Sequence, residues 1–435
     1  MWKGTKNNED VKYQDQYFIT FLGLPRDKIH SISVTSDQDK ALVLIELIDD
    51  RTKCPYCSSS KIGIKGYYSA EINNSITKHK KMTVIVRVRR YKCNQCGRTF
   101  KQKYRLYSQG CSISNETKYQ IVESLKTNKT FKEIADQFGV SSMTVIRTLD
   151  DAVKFQKRKP LPQVLCIDEF CFKHTSGQGK YPAVLSDGIT GEIVDIVVSR
   201  RKEYLHQYFN NIAYGERRNV KYFVSDMNAS YREIHNRFFQ DSIYIIDMFH
   251  IMNLFNNCVR EIRTRIMGTK EYNSKEYLFL KNHWKFFQMH QDKLRKLKHI
   301  NKRTGEVSDW LLELTYVLKK YNDLNHAYSL KEDFYFKTRK LLRYKDAIDL
   351  VNFVIINCDA SLVPEMKTIG KAFQNWKYSI ANALVVNEFK KRLSNAVAEA
   401  NNNVIETLIN ASFGLVNFER MRKRILFISN SKKTR

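Results

Sequence analysis

The chain has 435 residues, enough for several domains and a large buried core. Its 74 Lys plus Arg against 45 Asp plus Glu give a net charge of +29, which points to an extended polyanion as partner. The basic residues run through globular segments instead of one amphipathic face, so nucleic acid fits better than a membrane surface. No run approaches the ~20 apolar residues of a membrane span, and the opening MWKGTKNNED lacks the apolar core of a secretion signal, so a cytoplasmic protein is expected.

Five of the nine cysteines (Cys111, Cys166, Cys171, Cys258, Cys358) stand singly, which argues against a disulfide framework. The other four form CPYC (54–57) and CNQC (93–96). Each pair can present two thiolates from one tight turn, and two such turns complete a tetrahedron, so Cys54, Cys57, Cys93 and Cys96 are expected to hold Zn²⁺. The long separation suits a hairpin, because MTVIVRVRRYKC leads as a strand into the second pair. His79 reads as a surface residue. From Ile72 to Asn115 there is no Asp or Glu, and strand alternation sets Arg87 and Arg89 on one face, with Arg90 and Arg98 nearby. Residues 28–110 therefore read as a zinc-binding DNA-contact domain that grips phosphates more than it reads bases.

Residues 111–153 read as three helices. Ile121, Val122 and Leu125 form one stripe; TFKE (130–133) is a capping box opening a second helix that Gly139 ends; Ser141 or Ser142 caps a third. The layout is that of a helix-turn-helix with Ser142, Thr144, Arg147 and Thr148 as candidate DNA contacts, the plainer alternative being a three-helix packing element. KFQKRKPLPQ (154–163) is the linker.

Three apolar runs then end in Asp: VLCIDEF (164–170), KYFVSDM (221–227) and IYIIDMFH (243–250). Such runs suit strands buried on both faces, where an unpaired carboxylate is costly unless it caps a helix or binds a cation. Strand 164–170, a hairpin turning at DGITG, a helix near 203–212, strand 221–226, helix 228–239 and strand 243–247 follow the order of a ribonuclease-H-like sheet. Neighbouring parallel strands would bring Asp168 and Asp226 together. Alternation turns Glu169 to the other face, where an ion pair is expected. Residues 266–384 show helical periodicity and read as an insertion, and 387–427 as one or two helices.

The motifs CxxC…RRYxCxxCGxTF, IDEF, VSDM, DMFH and SNAVAEANN…FGLVNFERMRKRIL, in this order, resemble the ISL-three family of bacterial insertion-sequence transposases. The resemblance covers about residues 40–427. It implies a DDE catalytic core, with Asp168, Asp226 and Glu399 as the acids holding Mg²⁺ or Mn²⁺ in a two-metal site, and Asp247 and His250 beside it, either ordering the groups around the metal or a flanking strand or serving as an ordinary helix cap and a satisfied histidine. Two departures stand out: Ala400 replaces the usual Gly, and Glu406, Ile409 and Asn410 occupy usually basic positions. Arg420, Arg422, Lys423 and Arg424 are candidates to supply that charge. The expected fold is therefore multidomain α+β: zinc-ribbon-like domain, helix-turn-helix, a ribonuclease-H-like α/β core (164–265 and 385–427) and a helical insertion. The expected function is a nucleoid-associated transposase that binds double-stranded DNA at its element's terminal inverted repeats, cuts the ends, joins them to target DNA and acts as at least a homodimer. Two alternatives remain: a catalytically silent DNA-binding regulator and a structure-selective nuclease of the same fold.

Overall fold

The computed structural model describes residues 26–36, 40–49, 51–75, 81–102, 113–172, 180–300, 307–340, 342–410 and 417–431; His79 and Cys111 lie outside them. The chain forms two compact units, one built from residues up to Gln156 with the C-terminal helix, the other from Lys157 to Glu406.

In the first unit, β1 (Ile29–Ser36), β2 (Lys40–Leu47), β3 (Ile62–Ser75), β4 (Lys81–Cys93) and β5 (Thr99–Lys101) form a sheet of order β1-β2-β4-β3, with β5 on β4. β2 and β4 run parallel, while β1–β2, β3–β4 and β4–β5 are antiparallel pairs. Alternation sorts β4 as the sequence requires: Met82, Val84, Val86 and Val88 are buried with Val43, Ile45 and Ile72, while Arg87 and Arg89 share the opposite, half-buried face.

Three helices follow, α1 (Asn115–Leu125), α2 (Phe131–Phe138) and α3 (Ser142–Ala152). Thr130 and Glu133 form the expected reciprocal capping box, Gly139 ends α2 in the left-handed region at φ 62°, and of the two candidate serines it is Ser141 that caps α3, accepting from the Thr144 amide. Ile121, Leu125, Ile134, Val145 and Leu149 close the core between them. Asn74 of β3 ties this group to the sheet by accepting from Ser114 and, at 3.0 Å, from Thr117. The C-terminal helix, Phe418–Ser431, was expected with the catalytic core. It packs instead on the three helices, where Arg420 makes a two-pronged pair with Asp150 (2.7 Å each) and Arg424 reaches the Lys129 carbonyl (3.2 Å) with its guanidinium 4.5 Å above the Phe131 ring.

The second unit is organised on a sheet of order β10-β9-β6-β7-β8: β6 (Val164–Glu169), β7 (Ala183–Asp187), β8 (Ile193–Val197), β9 (Tyr222–Ser225) and β10 (Ile243–Ile246). The hairpin strands β7 and β8 run antiparallel beside β6, and β9 and β10 run parallel to it. Helices α4 (Lys202–Asn210), α5 (Tyr214–Arg217), α6 (Ala229–Phe238) and α7 (Met248–Gly268) connect and extend these strands. The proposed linker is not loose at its far end: Arg158 pairs bidentately with Glu216 (2.6 and 2.8 Å), the Lys159 amide donates to the Val194 carbonyl, and Leu161 is buried.

The helical stretch comprises α8 (Lys275–Asn282), α9 (Trp284–Gln288), α10 (Gln291–Leu294), a ribbon of β11 (Lys298–Ile300) and β12 (Val307–Asp309), then α11 (Trp310–Lys320), α12 (Asn322–Thr338), α13 (Tyr344–Ala360), α14 (Pro364–Asn375) and α15 (Lys377–Leu384). It shares one continuous apolar core with the sheet, to which it contributes Phe287, Phe334, Phe373 and Trp376, although Trp284 is exposed. Asn382 of α15 donates to the Tyr244 carbonyl of β10 at 3.0 Å, so the stretch covers the edge of the sheet. Finally, α16 (Ala396–Asn410) returns to β6 and β7.

The turn after β7 imposes a tight constraint. A Cβ on Gly188 would lie 2.5 Å from Val164 Cγ1 and 2.9 Å from Cys166 Sγ, both on buried β6. Gly188→Ala is expected to destabilise the protein by about 1–3 kcal/mol, and Val164→Ala in the same chain to cost less than the two changes summed, because it opens the space. Chemical denaturation of the two single variants and the double variant measures that coupling.

Candidate functional site

The two cysteine pairs sit on matching turns. In each, the residue after the second cysteine takes a left-handed conformation, Ser58 at φ 59° and Gly97 at φ 69°, and its amide returns to the carbonyl of the first cysteine (3.0 and 2.9 Å). The four sulfurs all lie within 4.8 Å of one another, with Cys54 to Cys96 at 3.8 Å and Cys57 to Cys93 at 3.6 Å. Tetrahedral zinc with bonds near 2.3 Å requires sulfurs about 3.8 Å apart. Four thiolate donors at that spacing fit Zn²⁺, and Tyr91 stacked on Phe100 at 5.4 Å supports the turns from beneath.

The basic positions of this unit divide by environment. Arg87 and Arg89 both reach Glu46 on β2 (3.3 and 3.5 Å), and Arg87 also lies 4.2 Å over Tyr67. Arg90 and Arg98 are exposed, Arg98 lying 5.1 Å over Tyr56. On α3, Ser142 and Arg147 are exposed and Thr144 half-buried, whereas Thr148 is buried and bonds the Thr144 carbonyl of its own helix. Of the C-terminal arginines, Arg424 is only 1% exposed, and burial lowers its pKa to about 10. It is part of the core and has no surface to offer a phosphate. Arg420 is held on Asp150 and Arg422 on Glu419.

In the second unit the parallel register Val164↔Tyr222 to Cys166↔Val224, continued by two residues, sets Asp168 level with Asp226 at one edge of the sheet. Each carboxyl is pushed up to about 6. For Asp168, burial does most of this, opposed by the Glu169 amide and reinforced by the charges of Glu169 and Asp226; for Asp226, burial and then Glu169 raise it. His250, in the first turn of α7, opposes the rise at both. Asp226 Oδ1 is buried with no hydrogen-bond partner. Glu169 forms the expected ion pair, with Arg200, and accepts from the Tyr231 hydroxyl at 2.7 Å. Its charge nevertheless acts on both aspartates, so strand alternation does not remove it from the site.

Asp247 uses both of its oxygens. One oxygen caps α7 by accepting from the Phe249 amide (3.1 Å), while the other accepts from the Asn395 amide (2.8 Å) just before α16. Asn395 also donates to the Ile167 carbonyl. Glu399 lies half-buried in the first turn of α16. Among the described residues the four cysteines are the one set of three or more His, Cys, Asp or Glu ligand atoms all within 4.8 Å of one another, so the structure does not bring Glu399 and the two aspartates that close together. The sequence reading missed Asn402, which donates to Asp168 Oδ2 (3.0 Å) and the Glu169 carbonyl (3.1 Å), and Asn401, which donates to Ser186 and Gly191. The available signal was the three-residue spacing from Glu399 to Asn402, which puts both on one helix face.

These features define a protein with a four-cysteine zinc module and an acidic site on a mixed sheet. Residues 165–425 match the family model of ISL3-type DDE transposases, described as "Transposase", and residues 50–96 match that described as "zinc-finger of transposase IS204/IS1001/IS1096/IS1165". The first match spans more than half of the chain, which therefore belongs to the ISL3 transposase family. No curated protein gives a significant match. Membership implies DNA as a partner; among the described residues no helix is long and apolar enough to cross a membrane.

Two outcomes are expected. The purified chain should carry about one zinc by elemental analysis, and Cys93→Ser should lose it. Asp226 has its pKa raised from 3.8 to about 6 in the fold, so its favourable contribution is complete below about 3.8 and is lost as pH rises through 6. Asp226→Asn should therefore stabilise the metal-free protein at pH 7.5 by about 1–3 kcal/mol, a gain that shrinks toward zero by pH 4 in denaturation curves.

Proposed function

We propose that the protein binds the terminal inverted repeats of its element and cuts and joins their DNA strands at the Asp168–Asp226 edge. The observation that carries this reading is the pair of half-buried, level carboxylates on adjacent parallel strands, one with a buried, orphaned oxygen. Three antiparallel strands with two parallel strands beyond the first support the reading of a ribonuclease-H-like core. An oxygen-only donor set suits Mg²⁺ or Mn²⁺ better than zinc. Asp168, Asp226 and, from α16, Glu399 would hold it, and it would supply activation of the attacking water or 3′-hydroxyl and stabilisation of the departing oxygen. Asp247 and Asn395 anchor the start of α16. Arg200, stacked 4.9 Å over Tyr181, stands where a DNA phosphate can approach.

The zinc module (28–110) grips the backbone, with Arg90 and Arg98 exposed and Arg87 and Arg89 able to exchange Glu46 for phosphate. Helices α1–α3 (111–153) act as a helix-turn-helix, with Ser142, Thr144 and Arg147 presented from α3. Joining two ends requires at least two copies of the chain.

The test is a labelled duplex carrying the element's end, incubated with Mg²⁺ or Mn²⁺. Nicking at the junction and strand transfer are expected, reduced at least about 100-fold in Asp168→Ala, Asp226→Ala and Glu399→Ala while end binding persists. Binding without cleavage by the parent protein would overturn the reading in favour of a silent regulator. Cleavage of branched DNA irrespective of end sequence would favour a structure-selective nuclease.

A further inference from the structure

We propose that Asn402 is a positioning residue of the carboxylate site, fixing the Asp168 side chain for a divalent cation and offering its own amide oxygen to the cation or its water shell. The inference rests on the reading of Asp168 and Asp226 as the cation-holding pair. It begins with the orientation of one amide. Asn402 Nδ2 donates to Asp168 Oδ2 at 3.0 Å and to the Glu169 carbonyl at 3.1 Å, so both of its hydrogens are used. A flipped amide would set oxygen against two acceptors, which fixes its orientation.

Two consequences follow for the site. Asp168 Oδ1 accepts from the Glu169 amide at 2.9 Å and Oδ2 from Asn402. Each oxygen thus takes one protein donor, the carboxylate cannot swing, and lone pairs remain on both oxygens. Asn402 Oδ1, in turn, is buried with no hydrogen-bond partner, the same condition as Asp226 Oδ1. Buried acceptors without donors are costly to keep. Two of them beside a fixed carboxylate form a neutral-plus-anionic oxygen set of the kind hard divalent cations take. Asn402 is one helical turn beyond Glu399, so the turn that carries the third acid also carries the group that orients the first.

A purely structural role, in which Asn402 only laces α16 to β6, makes a different prediction. Thermal melting of the full-length, zinc-loaded, DNA-free chain titrated with Mg²⁺ reads cation binding without activity. The Mg²⁺ concentration for half-maximal stabilisation should rise about 10- to 100-fold in both Asn402→Ala and the near-isosteric Asn402→Leu, while their midpoints without Mg²⁺ stay close to the parent's. Half-saturation for strand cleavage should shift in parallel, with a smaller change in the rate at saturating Mg²⁺. If the parent responds to Mg²⁺, Asp226→Ala abolishes the response and both Asn402 variants keep the parent's half-saturation, the role assigned to Asn402 is overturned and the carboxylate reading stands. If the parent shows no response at all, the carboxylate reading falls and the Asn402 role with it.

Discussion

Two half-buried carboxylates held level at the ends of adjacent parallel strands govern the second unit. Neither ionises as readily as a surface aspartate, since burial and the charge of Glu169 raise both to about 6. The surroundings temper this without cancelling it. His250 and Arg200 contribute opposing charge, and Arg200 and the Tyr231 hydroxyl together hold Glu169, the third negative group of the edge. What the protein leaves undone is as informative as what it satisfies: Asp226 Oδ1 is buried without a donor. A fold selected for stability alone would close such a site with apolar residues or a further donor.

The same edge explains the asparagines before and within α16. A helix crossing strand ends meets carbonyls and carboxylates that want donors, and a side-chain amide supplies two. Asn395, Asn401 and Asn402 bond to the Ile167 carbonyl, to Ser186 and Gly191, and to Asp168 and the Glu169 carbonyl. Asp247 receives the backbone of Asn395 while capping α7, so one buried carboxylate joins β10, α7 and the approach to α16. Asp247 is therefore a helix cap that also fastens the approach to α16.

What the sequence revealed follows the range of the interactions involved. Capping boxes, the glycine stop of α2, the cysteine turns and the strand order are set by neighbours within a few residues, and they could be read directly. The level placement of Asp168 and Asp226 was also legible, because a parallel pairing of two runs each ending in Asp leaves little freedom. The partners of Glu169, the roles of Asn395 and Asn402 and the placement of the C-terminal helix were not. Each depends on a contact across tens to hundreds of residues, such as Asp168 with Asn402 or Asp150 with Arg420. The helical stretch was recognised by its period, but whether it stood apart could not be decided from period alone; its continuity with the sheet core follows from Trp376 and Asn382 meeting Tyr244.

The distribution of charge makes the last distinction. A net charge of +29 suggests an undifferentiated grip on DNA, yet the arginines divide into three kinds. Arg424 is sealed in a core, its charge eased by the Lys129 carbonyl and the Phe131 ring. Arg87, Arg89 and Arg420 are held by carboxylates, Glu46 and Asp150, and a phosphate would have to displace those partners. Arg90, Arg98 and Arg147 stand exposed on the zinc module and α3. Binding driven by counterion release depends on the cations a phosphate can reach, not on the formal total. On the DNA-binding role proposed above, the exposed set would govern the affinity of this unit for DNA, while the paired set is held within the fold by its carboxylate partners.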